Sequence, residues 1–319
     1  MYTIGIDLGG TNIAVGLCDE NLKIVDKISA PTEAKRASGM IVKDMASLSK
    51  KLIDRNHLTK SDIRSVGIAA PGTVDPKTGI VEYSNNIRMS NFPICSEFKK
   101  YLDLPVYIAN DANAAALGEA IAGSGQGSDS LVMITLGTGV GGGVIIDGKI
   151  FTGSANTAGA ELGHTVIEKG GRQCSCGRRG CWEAYSSASA LTAMTAEKMK
   201  ELSLKGISSL LFDEERREGR LSARTAFNAM KSGDKYAKEL TDTYISYLAE
   251  GITNMINIFQ PKILCIGGGV CNEGDTLLIP LKELTDREQY TRDSDKKTKI
   301  VIASLGNDAG IIGAAALGR

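Results

Sequence analysis

A chain of 319 residues, 42% hydrophobic and 23% charged, carries enough apolar material for about two globular domains. Lys+Arg and Asp+Glu stand at 37 each, which excludes the net basic field that holds nucleic acid or an anionic membrane surface. No basic and apolar leader opens the chain, and no apolar run nears the ~18 residues of a membrane helix, so a cytoplasmic location is the expectation.

Taken in order, residues 2–17 read as a strand, a glycine turn and a second strand, with Asp7-Leu8-Gly9-Gly10-Thr11-Asn12 at the turn. Residues 65–70 form a short buried strand closed by Pro71-Gly72, and 106–109 form another that runs through Asn110-Asp111 into an Ala-rich helix over 113–122. Residues 131–146 repeat the opening plan, with Gly137-Thr138-Gly139 between two apolar strands, which points to two lobes built alike. Helices are expected over 187–205 and 224–259. In the second, Ile245, Leu248, Ile252, Met255 and Phe259 make one apolar stripe. The charged stretch 213–220 reads as a solvated loop or helix face. Residues 263–266 are a buried strand leading into Gly267-Gly268-Gly269, and a Gly/Ala-rich helix over 308–317 must pack closely on something. Alternating strands and helices predict an α/β architecture.

Several of these residues carry chemistry. Cys174, Cys176 and Cys181 lie within eight residues, ten beyond His164, and three thiolates with one imidazole suit a closed tetrahedral structural Zn²⁺ site. The competing reading is three buried thiols and an unrelated histidine; His57 reads as a surface residue. Residues 137–142 match G-x-G-x-x-G, but a strand follows rather than a helix, so the dinucleotide reading fails. Glycine amides in such hairpins can still form an anion nest, and a third glycine run after a strand strengthens a phosphate or nucleotide reading. Asp7 can orient Mg²⁺ through water or form the turn. Asp111 is either a helix N-cap or a general base at the carboxyl end of a strand. Glu161, His164 and Glu183 flank the cysteine loop, where directed donors and acceptors would suit sugar hydroxyls.

Together these pieces resemble the ROK family (repressors, open reading frames and kinases) of the actin-like sugar kinase superfamily. The resemblance rests on residues 7–12, Ala70-Pro71-Gly72, residues 110–113, residues 136–143, Glu161-Leu162-Gly163-His164 and the C-x-C-G-x-x-G-C-x-E run from Cys174 to Glu183, which occur in the family's order. Residues 180–185 look most like bacterial ROK glucokinases. The resemblance implies a two-lobed actin-like (ribonuclease H-like) ATPase fold with a zinc loop in the second lobe and the active site between the lobes. The expected lobes are 1–118 plus 303–319, and 119–302, with the C-terminal helix packed back on the first.

By the same resemblance, Asp111 takes the proton from the sugar hydroxyl, and Gly72, Asn86, Asn110, Asp111, Glu161, His164 and Glu183 line the sugar site. Asp7, Gly9, Gly10, Thr11, Asn12, Gly137, Thr138, Gly139, Gly268 and Gly269 serve ATP with its Mg²⁺. His164, Cys174, Cys176 and Cys181 hold Zn²⁺, with His164 also meeting the sugar. The implied reaction is ATP-dependent conversion of glucose to glucose 6-phosphate by a homodimer. N-acetylglucosamine, N-acetylmannosamine, fructose, mannose and allose are alternative acceptors, and ADP or polyphosphate alternative donors. Family repressors add an N-terminal helix-turn-helix, for which a hairpin starting at residue five leaves no room. A sugar-binding regulator without catalysis is the third class. One departure stands out: Asn86-Ile87-Arg88-Met89-Ser90 replaces the family's Asn-Leu-Pro-Gly-Trp, so an aromatic wall is missing from the loop that shapes the pocket rim.

Overall fold

The computed structural model describes residues 1–155 and 157–319. One compact unit comprises Met1–Leu131, Gly143–Ala160 and Ala303–Arg319. It begins with β1 (Tyr2–Leu8), β2 (Asn12–Cys18), β3 (Ile24–Pro31), α1 (Ser38–Arg55) and β4 (Ile63–Ala70). A small three-stranded sheet follows, made of β5 (Thr73–Asp75), β6 (Ile80–Ser84) and β7 (Met89–Phe92). Then come α2 (Ile94–Lys99), β8 (Val106–Asn110) and α3 (Asp111–Ala122). The main sheet has the order β3-β2-β1-β4-β8. β1 is antiparallel to β2 and parallel to β4, and β4 is parallel to β8. β4 is buried along nearly its whole length, as expected for a strand covered on both faces, whereas β3 shows no buried residue and stands at the edge. Ile4, Ile6, Leu8, Ile13, Val15 and Ile68 are fully buried in its core.

A second five-stranded sheet is built from β9 (Leu131–Leu136), β10 (Val140–Ile146), β11 (Lys149–Ile150), β12 (Ile263–Gly267) and β13 (Lys299–Ile302), in the order β11-β10-β9-β12-β13. Its order repeats that of the first sheet, so the repeated plan read from the two hairpins is present in the topology. The other compact unit, Val132–Gly142 with Glu161–Ile302, takes in most of β9, the start of β10, β12, β13 and helices α4 (Glu183–Ser186), α5 (Ala188–Leu204), α6 (Leu210–Glu218), α7 (Ala223–Lys231), α8 (Lys235–Phe259) and α9 (Asp275–Glu288), while the end of β10 and β11 fall in the first unit. The charged stretch is the second half of α6 and the residues after it; Asp213, Arg216 and Arg217 are exposed as read, but Glu214 is buried. The single helix expected over 224–259 is two: Gly233, at φ +91°, breaks the chain, and Asp234 caps α8 by accepting the N–H groups of Tyr236 and Ala237, each at 2.8 Å. The stripe on α8 is buried at Ile245, Leu248, Ile252 and Met255 and half-buried at Phe259.

The chain ends in α10 (Ala309–Ala316), every residue of which is buried. It lies on β1, β4 and α3 within the first unit. A Cβ at Gly67 of β4 would collide with the Ala314 carbonyl of α10, and one at Gly313 with the Ala114 carbonyl of α3. The close packing read from composition is therefore backbone against backbone. Among the described residues no helix is long and apolar enough to cross a membrane.

Candidate active site

In the first unit the parallel strands deliver their carboxyl ends side by side. Asp7 of β1 is in register with Ala69 of β4, and Ala69 with Ala109 of β8, so Asp111 follows two residues past that shared row. This is the edge at which open α/β sheets place ligands. Burial, and then the negative charge of Asp111, push the Asp7 carboxyl up to about 6. The plain alternative for Asp111, an N-cap, is not realised. Asn110 is the cap: its Oδ1 accepts the N–H groups of Ala112 at 2.9 Å and Asn113 at 3.2 Å, and Asp111 is the first helical residue. The amide of Asn110 also donates to the Gly72 carbonyl at 3.0 Å, tying the Pro71-Gly72 turn to α3. Residue 72 must be glycine, because its φ is +94° and a Cβ would strike the Tyr83 carbonyl.

The first glycine hairpin lies in the same unit. Gly9 donates to the Asn12 carbonyl at 2.9 Å, leaving Gly10, Thr11 and Asn12 exposed. Thr32, fully buried after β3, holds the hairpin from behind. Its N–H donates to the Thr11 carbonyl at 2.8 Å and its hydroxyl to the Gly9 carbonyl at 2.6 Å. Arg36 donates to the Thr32 carbonyl at 2.9 Å and to Asp44 at 2.7 Å. Sequence reasoning missed Thr32, and no spacing or motif would have found it. Exposed Asn86 borders the hairpin, with its Cβ 3.5 Å from where a Gly10 Cβ would stand. Asp7, Gly9, Gly10, Thr11, Asn12, Gly72, Asn86, Asn110 and Asp111 thus belong to one unit. In the altered loop Met89 is buried, while Arg88 and Ser90 are exposed.

In the second unit, ligand atoms of His164, Cys174, Cys176 and Cys181 all lie within 4.8 Å of one another. Cys176 Sγ and Cys181 Sγ are 3.7 Å apart, and Cys174 Sγ is 3.6 Å from His164 Nδ1. A tetrahedron with metal–sulfur bonds of about 2.3 Å has edges of about 3.8 Å, so these residues fit a four-coordinate ion. With Nδ1 facing the cluster, the other ring nitrogen of His164 is left for a different partner. The loop is folded by backbone bonds, Cys174 N–H to the Arg178 carbonyl at 2.9 Å and Gly177 N–H to the Cys174 carbonyl at 3.1 Å. The Arg178 backbone N–H holds the Cys176 thiol below its ordinary value. His57 is exposed, as read.

The second glycine hairpin adjoins this loop. Gly137 donates to the Gly139 carbonyl at 3.0 Å, and Ala188 to the Gly137 carbonyl at 2.9 Å. Glu183 accepts the Val140 N–H on Oε2 at 3.1 Å and the Ser175 hydroxyl on Oε1 at 3.0 Å. Gly268 backs on to Leu136, the residue before the hairpin, since a Cβ there would meet the Leu136 backbone; Gly269 is exposed. Glu161 is exposed at the start of the short turn that carries His164. This unit therefore gathers Gly137, Thr138, Gly139, Glu161, His164, Glu183, Gly268, Gly269 and the three cysteines.

The model of the ROK family matches residues 3–319. The glucokinase of Halalkalibacterium halodurans is 38% identical over 313 residues, covering 98% of this chain and 93% of its own. That of Thermotoga maritima is 38% identical over 316 residues, covering 98% and 96%. Among solved structures, a ROK family glucokinase from Streptomyces griseus in complex with glucose and AMPPNP superposes with a TM-score of 0.79, at 32% identity and 99% coverage of both chains.

Proposed function

The chain belongs to the ROK family, and on that premise we propose that it is an ATP-dependent hexokinase that converts glucose to glucose 6-phosphate. The observation that carries the chemistry is the pair of carboxylates Asp7 and Asp111 at the carboxyl ends of two parallel strands, β1 and β8, that flank β4, with the helix-cap position taken by Asn110 and not by Asp111. Phosphoryl transfer asks little covalent chemistry of the protein; positioning and charge dominate. Asp111 accepts the proton of the sugar hydroxyl, O6 in glucose, as the γ-phosphoryl forms its new bond there. Asp7, whose charge is disfavoured while no cation is near, is suited to hold Mg²⁺ through water. The Mg²⁺ that accompanies ATP neutralises charge on the transferring phosphoryl group.

Amides of Gly9, Gly10, Thr11 and Asn12, and of Gly137, Thr138 and Gly139, serve the phosphates, and Gly268 and Gly269 the adenosine. Gly72, Asn86, Asn110, Glu161, His164 and Glu183 serve the sugar hydroxyls. The edge lengths of the Cys₃His cluster support a structural Zn²⁺ held by His164, Cys174, Cys176 and Cys181. The repeated sheet order supports a two-lobed actin-like fold, which we divide as 1–118 plus 303–319, and 119–302. We read the protein as a cytoplasmic homodimer without nucleic-acid or membrane partners, and sedimentation would test the assembly.

A coupled assay with Mg²⁺-ATP against glucose, N-acetylglucosamine, N-acetylmannosamine, fructose, mannose and allose tests the reading. Glucose is expected to give the highest kcat/KM. Preference for an N-acetylated sugar would transfer the assignment to that substrate and make the loop around Arg88 part of a wider pocket. No turnover on any of them would overturn the kinase.

A further inference from the structure

We propose that Glu183 is a positioning residue for the nucleotide, fixing the second glycine hairpin to the metal loop, so that the metal acts on nucleotide affinity through this carboxylate. The proposal rests on the reading of residues 137–139 as a phosphate hairpin. Val140 N–H is the first amide after the turn, and it donates to Glu183 Oε2 at 3.1 Å. A Cβ on residue 139 would collide with that same oxygen. Gly139 is not among the glycines with positive φ, so what a side chain there would meet is the carboxylate packed against it and not a forbidden backbone conformation.

The other oxygen, Oε1, accepts the hydroxyl of Ser175 at 3.0 Å and lies 3.7 Å from Cys174 Sγ. Ser175 stands between two of the metal-site cysteines, so its position follows the order of that loop. On the other side of the turn Ala188 N–H holds the Gly137 carbonyl at 2.9 Å. The segment 183–188, which begins two residues after Cys181, therefore grips the hairpin at both ends. A bare carboxylate beside phosphates would repel them. Here its charge is shared by an amide and a hydroxyl, and it orients the hairpin without facing the ligand. A carboxylate has about four acceptor positions, so a sugar hydroxyl can be added without displacing either donor. Sugar and nucleotide then share one carboxylate, and any coupling between them is reciprocal.

The test measures the affinity of Mg²⁺-AMPPNP without sugar, together with amide exchange at Val140, for the parent, Glu183→Ala and Glu183→Gln, each metal-loaded and after chelation. Loss of a charge-assisted bond predicts about tenfold weaker nucleotide binding in Glu183→Ala, with faster exchange at Val140. Glu183→Gln keeps an oxygen for Val140 and is expected to restore most of both. Metal removal is expected to weaken the parent but to add little in Glu183→Ala, since both act through one contact. Ser175→Ala, at an exposed position, should weaken binding about threefold and covers the case in which Glu183→Ala does not fold. Unchanged affinity and exchange in Glu183→Ala or, should that variant not fold, in Ser175→Ala, or additive effects of Glu183→Ala and metal removal, would overturn the proposal. A parent that binds no AMPPNP would overturn the phosphate reading instead, while Val140 exchange would still report on the clamp.

Discussion

The two glycine hairpins have the same local design and are held by different means. The hairpin at Gly9-Gly10-Thr11 is fixed by a neutral buried hydroxyl and amide, both from Thr32, at the edge of a sheet with a fully buried apolar core. The hairpin at Gly137-Thr138-Gly139 is fixed by a carboxylate whose other oxygen belongs to a loop folded around a Cys₃His cluster. A bond to a charged acceptor is stronger than a neutral one, but this one inherits the stability of a small loop with little core of its own. The first hairpin should therefore be insensitive to metal, and the second dependent on it.

Removing the metal is the largest perturbation of this contrast, since structural Zn²⁺ can contribute on the order of 10 kcal/mol to ordering its loop. Chelation should raise hydrogen exchange across 164–183 and at Val140, and leave the Gly9 amide protected; equal deprotection of both hairpins would break the comparison. Next in size, Asp111→Ala should lower kcat by about 10²–10⁴-fold while sugar and AMPPNP still bind, as read by calorimetry. Near-normal turnover would remove the assigned base.

Asp7→Asn comes third, and its sign is opposite for stability and activity. The folded pKa of Asp7, about 6, lies above the ordinary 3.8, so its contribution to stability is fully present below 3.8 and is lost as pH rises through about 6. At pH 7.5 the ligand-free Asn variant should therefore be more stable, by about 1–3 kcal/mol, with the gain disappearing near pH 4 in a thermal-melt series. Its turnover should fall at the same time. Smallest of the four, Thr32→Val preserves shape but leaves the Gly9 carbonyl without its hydroxyl partner. About 1 kcal/mol is expected, seen as roughly fivefold weaker AMPPNP binding with zinc content unchanged. An effect on metal content would show that the two hairpins are not independent.

Much of this was legible because the signals are local. Glycines between apolar strands, three cysteines in eight residues and an Asp at a strand end are patterns of adjacent residues, and the structure has them where they were read. Other features were legible and overlooked. Ser232-Gly233-Asp234 carries the signature of one helix ending and another beginning, yet the long apolar stripe hid it. Asn110 and Asp111 are both good caps by residue type, so the sequence does not choose between them; in the structure Asn110, still extended at φ −61° and ψ 148°, holds the cap position.

What the sequence determined by itself was the alternation of elements, the two hairpins and the composition of the cysteine loop, since each depends on neighbours a few residues apart. Only the tertiary structure decided which groups hold these parts. Thr32 reaches Gly9 across 23 residues, and Glu183 reaches Val140 across 43. Such pairings are set by strand register and by how a loop folds back on a sheet. Many side chains could donate or accept those bonds, so no local pattern distinguishes the one that does.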